Sequence, residues 1–405
     1  MFTLKILVLK VFNRLVGFML GLIKQHQPLL LVGPGCSLTL CEDISRFGGT
    51  HVLLVTDKIL LGLGLLDPIR NKLLDLGLKI TLFSDVEPDP GFSIVRQGVA
   101  LGKRQGCDAI LAVGGGSVID VAKVLSAAIG IDADVKTLKG FMKVKAPVIP
   151  LYVAPTTSGT GSEVSIGAVI TDEVTHKKDG VASPLLCPLV AALDPELMVG
   201  MPPSITAATG LDALTHAIEA FISRNATADS DRFSLVAIKL IFSNLETAYN
   251  KGSDLDARQS MAIAATYAGL AFTRVLVGYV HAISHALGGA YGVPHGLANG
   301  IVLPHILRYS MSAVPERFAE MAIAAGLGEP GEASLILGER FVAAVQDLND
   351  SIGIPRTMDA LRHEDMPAIA SVALKEAHTV YAVPRYMSQD DCLTILQQLK
   401  PVSAA

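Results

Sequence analysis

The sequence predicts an α/β domain built on a parallel sheet, followed by an all-helical domain. Three observations lead there. Short leucine- and valine-rich runs alternate with helical patterns through the first half. Glycine-rich and hydroxyl-rich turns follow two of those runs, and beyond Pro202-Pro203 the chain turns alanine- and leucine-rich with few strand-like runs. Strand and helix in strict alternation is the pattern of a parallel sheet covered on both faces.

The elements follow in order. Residues 50–57 (THVLLVTD) read as a buried strand, with a helical segment near 65–76. Residues 78–85 (LKITLFSD) read as a second strand, and FSIVRQGVALGKRQG as a helix. Residues 107–113 (CDAILAV) form a third strand, feeding GGGSVIDVAKVLSAAIG, which opens on glycines and becomes helical. Residues 148–157 and 165–172 are again strand-like. From Ser204 on, Pro304, Pro315, Pro330, Pro355 and Pro367 punctuate helical patterns. The expected division is an extension over 1–27, an α/β domain over 28–203 and a helical domain over 204–405. No internal repeat or low-complexity tract interrupts it.

Composition excludes several classes. Of 405 residues 50% are hydrophobic and 18% charged; a chain so apolar can bury enough surface to fold, which rules out disorder. Thirty-three basic residues against 38 acidic ones leave no surplus for a polyanion, so no nucleic-acid partner is expected. A bilayer span needs about 20 continuous apolar residues. At the N-terminus Lys5, Lys10 and Arg14 break the apolar run, and the uncharged stretch Leu15–Ile23 is too short. A secretory signal fits the basic start, but Lys24, Gln25 and His26 stand where small cleavage-site residues belong. Phe12, Val16, Met19 and Ile23 recur at helical spacing, the pattern of an amphipathic helix that packs on this protein or a partner subunit, or lies on a membrane surface. Five cysteines at irregular spacing, with no CxxC pair, point to a reduced, cytoplasmic protein.

Two turns carry binding chemistry. Gly114, Gly115, Gly116 and Ser117 lie between a strand and a helix, where glycines admit close backbone approach and the helix N-terminus favours an anion. By itself this is a tight turn and lacks the GxGxxG fingerprint. The second turn, Pro155-Thr156-Thr157-Ser158-Gly159-Thr160-Gly161-Ser162-Glu163, packs hydroxyls suited to phosphate and ribose oxygens, or else is a solvated loop. Two such loops at strand ends of one sheet favour a nucleotide crevice. Asp57 ends a strand, where it suits a ribose hydroxyl and repels a 2′-phosphate, favouring NAD over NADP; an aspartate there is also an ordinary helix N-cap.

The helical half carries a different chemistry. Asp212 and His216 stand at i and i+4, on one helix face about 6 Å apart along the axis. His281 and His285 repeat the spacing, and His295 follows in GVPHG. One histidine among alanines and leucines is commonly a hydrogen-bonded core residue. Three histidines and a carboxylate together suit a divalent metal such as iron, zinc or manganese. Spacing alone nominates His281 and His285 as the second ligand pair, whereas Ala282 excludes the HExxH pattern of zinc proteases.

GGGSVID, PTTSGTGSE, DALTHAIEAF and HAISHALGGAYGVPHGLANGIVLPHILRYS resemble, in order, the motifs of the iron-containing (group III) alcohol dehydrogenases, which share the dehydroquinate synthase-like fold. The resemblance runs from about residue 28 to 400. It implies an NAD(P)-binding domain, a helical domain and a divalent metal, usually Fe²⁺ with Zn²⁺ as the alternative. Its metal ligands fall on Asp212, His216, His281 and His295, which makes His285 a neighbour of nicotinamide and substrate rather than a ligand. Cofactor contacts fall on Asp57, Gly114, Gly115, Gly116, Ser117, Asp120, Thr156, Thr157, Ser158, Thr160 and Lys178. The implied activity is reversible hydride transfer between a small alcohol or aldehyde and NAD, with the metal as Lewis acid, His285 relaying a proton, and a homodimer as the assembly. Departures are Glu87-Pro88-Asp89-Pro90 where EPNP is common, the bulky Arg274, Val275, Leu276 and Tyr279, and Tyr381-Ala382-Val383-Pro384-Arg385 where a Gly-Asn-Pro-Arg sequence is frequent.

Three other readings compete. A metal- and NAD-using lyase resembling dehydroquinate synthase would want lysines and arginines between His281 and His295, and there are none. A polyol dehydrogenase resembling glycerol dehydrogenase would depart from these four ligand positions. A non-catalytic, membrane-associated binding protein would have no use for a complete ligand set.

Overall fold

Nine strands are present among the described residues: β1 (Leu29–Val32), β2 (His51–Val55), β3 (Lys79–Phe83), β4 (Ala109–Gly114), β5 (Gly140–Phe141), β6 (Leu151–Pro155), β7 (Gly167–Asp172), β8 (Lys177–Ala182) and β9 (Val190–Leu193). They come from a computed structural model that describes residues 26–174 and 177–401, with Ile6, Leu9, Asn13, Arg14 and Gly17 before them. The expected stripe of Phe12, Val16, Met19 and Ile23 lies outside the described residues.

Six strands form one sheet in the order β1-β9-β6-β4-β2-β3, every pairing parallel. The uninterrupted apolar runs have a direct cause. In β2, Leu53 and Val55 enter a core shared with the helices Phe92–Gln105 and Gly116–Gly130, whereas Val52 and Leu54 enter one shared with Cys36–Arg46 and Asp67–Asp75. β4 divides likewise, with Ile110 and Ala112 on one side and Leu111 and Val113 on the other. Neither face of such a strand meets water, so no polar residue alternates in it.

The strand-like run 165–172 does not join this sheet. It becomes β7, which pairs antiparallel with β8, and β8 pairs parallel with β5. Period-two patterning marks a strand but says nothing of its partner.

The chain divides into two compact units. One comprises Lys24–Met201 with Ser253–Thr266 and holds the sheet; the other comprises Met1–Ile23, Pro202–Gly252 and Tyr267–Ala405 and is helical. The stretch Ser253–Thr266 groups with the sheet through specific bonds. Arg258 donates to the Met201 carbonyl at 3.0 Å, Gln259 to Leu193 at 3.2 Å, and the Thr266 hydroxyl to Glu163 at 2.8 Å. Periodicity in a helix reveals an apolar face but not its partner, which is why the sequence does not mark this exchange. Among the described residues no single helix is long and apolar enough to cross a membrane.

Candidate active site

In the sheet unit the nominated loops lie side by side because β4 and β6 are neighbours, and both loops leave C-terminal strand ends. The Thr156 amide donates to the Gly114 carbonyl at 3.0 Å. A Cβ on Gly116 would lie 2.6 Å from Thr160 Cγ2, so only glycine lets the two turns approach this closely. Asp57 lies two residues beyond the adjoining strand, β2, and caps the helix Lys58–Gly62 by accepting from the Leu60 amide at 2.9 Å. Strand order reverses between β2 and β4, the position where open parallel sheets accept ligands.

Other nominated residues have partners within the protein. Asp120 accepts from the Ser162 hydroxyl at 2.5 Å and the Val169 amide at 2.8 Å. Ser158 is buried against the Met198 sulfur at 3.1 Å. Lys178 pairs with Asp89 at 2.6 Å, so the aspartate of Glu87-Pro88-Asp89-Pro90 engages the lysine itself.

In the helical unit the buried helix Pro203–Ile222 starts with proline at its first position, where no amide hydrogen is needed. Leu211, Leu214, Ile218 and Phe221 are fully buried, and so is the polar stripe of Asp212, His216 and Glu219. Nδ1 of His216 lies 3.9 Å from Asp212 Oδ1, Nε2 of His281 lies 3.7 Å from it, and Nε2 of His295 lies 3.4 Å from it. Donors about 2.1 Å from one tetrahedral ion would stand about 3.4 Å apart. The site therefore has close to the dimensions of a metal cage.

Two glycines deliver His295. Gly292, at φ 66°, ends the helix Tyr279–Tyr291 in a left-handed conformation and turns the chain. Gly296 lets the helix His295–Met311 settle on the Asp212 helix, since a Cβ there would lie 2.2 Å from the Ala208 carbonyl oxygen.

The electrostatics call for a cation. Asp212 and Glu219 are each 3% exposed, and two carboxylates so deep need compensating charge. Burial opposes ionisation of Asp212, but His216, His281 and His295 hold its carboxyl well below the usual carboxylate range. Burial pushes His281 down while Asp212 and Glu219 push it up, and the balance raises it to about 9. Its buried Nε2 has no hydrogen-bond partner, the condition of a nitrogen reserved for a ligand. Three imidazoles and a carboxylate fit a divalent transition metal.

Sequence reasoning passed over the residues that hold these side chains. Glu219 accepts from His281 Nδ1 at 2.7 Å, the Gly278 amide at 2.8 Å and the Val280 amide at 2.6 Å. It thereby holds the Nδ1 hydrogen and turns Nε2 toward Asp212. Asn299 donates to Asp212 Oδ1 at 2.8 Å. A signal for both was present: Glu219 lies three residues after His216, and Asn299 four after His295.

His285 stands apart from the Asp212 cluster. Its ring stacks on that of His295 with centroids 5.1 Å apart, but its Nδ1 donates to Glu376 at 2.8 Å. The Tyr381 hydroxyl donates to the same Glu376 oxygen at 2.5 Å. The i, i+4 pair is thus split between two partners, which spacing alone does not foretell.

Glycine- and hydroxyl-rich turns meeting at neighbouring strand ends of a parallel sheet, and a buried histidine–carboxylate cluster in a helical unit, are the features of a metal-dependent, nicotinamide-linked oxidoreductase. The chain belongs to the iron-containing alcohol dehydrogenase family: residues 28–195 match "Iron-containing alcohol dehydrogenase" and residues 206–400 match "Fe-containing alcohol dehydrogenase family, C-terminal". It is 39% identical to a 1,3-propanediol dehydrogenase of Klebsiella pneumoniae over 370 residues, 90% of this chain and 95% of that one. It is 35% identical to an NAD-dependent methanol dehydrogenase of Bacillus methanolicus over 372 residues, 91% of this chain and 97% of that one. A crystal structure of 1,3-propanediol oxidoreductase superimposes with a TM-score of 0.90 at 38% identity, covering 93% of this chain and all of the other. The protein is accordingly an NAD-linked oxidoreductase acting on CH–OH groups, from a family that uses NAD(H) and Fe²⁺.

Proposed function

We propose that the chain interconverts a small alcohol and its aldehyde with Asp212, His216, His281 and His295 holding the metal and His285 carrying the proton. What carries the reading is the buried His281 Nε2, left without a hydrogen-bond partner 3.7 Å from Asp212 Oδ1. In this reading residues 28–203 bind nucleotide and 204–405 bind metal. When bound, the metal would supply Lewis acidity and the nicotinamide a hydride acceptor. The chain's own residues do the rest. Asp212, His216, His281 and His295 would hold the metal. Glu219 and Asn299 keep the ligands oriented, and Glu376 keeps the Nδ1 proton on His285 so that Nε2 is the atom that exchanges. Thr156, Thr157, Ser158, Thr160 and the amides of Gly114–Ser117 form the cradle for the dinucleotide.

The direct test is anaerobic reconstitution with Fe²⁺ or Zn²⁺ and an NAD(H)-linked screen of short alcohols, diols and aldehydes. Turnover that requires metal is expected; no turnover with either metal or either cofactor would overturn the reading. His285→Asn should lower kcat by about 100-fold, the usual contribution of a positioned acid–base group, while bound metal is retained. Co-loss of metal would instead make His285 a ligand. Asp57→Asn keeps the helix cap and removes the charge that opposes a 2′-phosphate. The preference for NAD over NADP should then fall about tenfold, measured as the ratio of kcat/KM values; an unchanged ratio would remove Asp57 from the cofactor site.

The reading places the enzyme in the cytoplasm as a homodimer. The support for the dimer is on the sheet edge, where β1 exposes Leu29, Leu30 and Val32 on an edge strand, and exposed apolar edges ask to be paired. A monomeric mass by light scattering at micromolar concentration would refute the dimer. Contact of residues 1–27 with a membrane surface is checked by co-sedimentation with anionic vesicles.

A further inference from the structure

The family match begins at residue 28, yet a residue well before it reaches the His285 network. Asn13 is 3% exposed. Its Nδ2 donates to the Tyr381 carbonyl at 3.0 Å and to the Tyr386 hydroxyl at 3.1 Å. Asn225 returns a bond, donating from Nδ2 to the Asn13 carbonyl at 3.1 Å. Gly17, one turn on, makes the seating possible, because a Cβ there would lie 2.4 Å from Asn225 Nδ2. Asn13 is thus clamped from both sides. Buried amides of this kind are held in place by what they bond.

Tyr381 connects the clamp to the chemistry. Its main chain accepts from Asn13 and its hydroxyl donates to Glu376 Oε1, the oxygen that also accepts from His285 Nδ1. One carboxylate oxygen receives both donors, so displacement of Tyr381 removes one of the two bonds at that oxygen and lets Glu376 rotate with the ring. We propose that Asn13 is a positioning residue for His285: Asn13 pins Tyr381, Tyr381 pins Glu376, and Glu376 sets the imidazole. Asn13, Tyr381 and Glu376 are positioning residues here, acting through His285. The inference rests on the reading of His285 as proton carrier, and the test separates the two.

The test uses full-length protein loaded with Zn²⁺ and labelled with ¹⁵N-histidine. A hydrogen bonded between an imidazole and a carboxylate gives a low-field proton resonance, assigned to His285 by its loss in His285→Asn. In Tyr381→Phe and in Asn13→Ala that resonance should shift or broaden. Asn13→Ala should lower kcat about fivefold, the scale of one buried hydrogen bond, with the KM for NADH unchanged. The double variant should be no slower than Tyr381→Phe, as two residues on one path require. Gly17→Val, whose side chain would collide with Asn225 and leaves the Asn13 side chain intact, should reproduce Asn13→Ala. An unmoved resonance and wild-type kcat in Asn13→Ala and Gly17→Val, or independent multiplication of the Asn13 and Tyr381 effects, would overturn the proposal. If His285→Asn itself keeps wild-type kcat, the proton-carrier reading fails, whereas a shifted resonance in Asn13→Ala still upholds the link.

Discussion

His281→Ala is expected to lose bound metal and turnover together. The ring is 2% exposed, its Nδ1 is taken by Glu219, and its Nε2 faces Asp212 at 3.7 Å. In the proposed site, truncation removes one of four donors, and it leaves Glu219 buried with only its two backbone partners. Loss of a residue that merely orients a ligand costs about 10- to 100-fold in metal affinity, and loss of the ligand itself should exceed that. The measurement is metal content after dialysis, paired with NADH-linked turnover. Normal turnover without bound metal would sink the assignment. The comparison with His285→Asn sharpens it, because that variant should keep its metal. Chelating the wild type should also lower its thermal stability, by about 4 kcal/mol where free metal had stood at a thousand times its dissociation constant.

Glu219 should be the residue whose loss harms both stability and metal binding without touching the ion. Glu219→Ala leaves the buried Gly278 and Val280 amides unsatisfied and His281 without its carboxylate. Each stranded buried donor costs about 1–3 kcal/mol, and breaking a buried charged pair about 3–5 kcal/mol. A loss of about 4 kcal/mol in the metal-free protein is expected by denaturant melting. Glu219→Gln separates the two roles. It keeps the shape and one acceptor, but an amide NH₂ facing His281 Nδ1 favours the tautomer with hydrogen on Nε2. Metal affinity should fall about 10- to 100-fold with a smaller loss of stability. Wild-type metal affinity in Glu219→Gln would mean that Glu219 does not orient the ligand.

Both predictions turn on residues that local patterns expose only in part. Asp212 and His216 were legible because four residues on a helix return to the same face. His281 and His285 have the same spacing, yet one faces Asp212 and the other bonds Glu376, 91 residues on. A helical repeat defines a face; the choice of partner on that face belongs to whatever packs against it. The strands tell the same story. β2 and β4 were legible as apolar runs, His51 at the start of β2 aside, because both of their faces are covered. The partner of β7 was not, because its pattern fits either sheet.

The sequence by itself determined the order of elements, the two glycine- and hydroxyl-rich turns, the histidine-rich helical half and, through its motifs, the family. Those are properties of neighbours within a few turns of chain, where propensity and periodicity act. Tertiary structure alone decided three other matters: that Glu219 orients His281, that Ser253–Thr266 groups with the sheet, and that Asn13 bonds Tyr381. Each is a contact across tens or hundreds of residues whose free energy comes from satisfying a buried polar group. Such a group has no preferred partner until the fold brings one within reach.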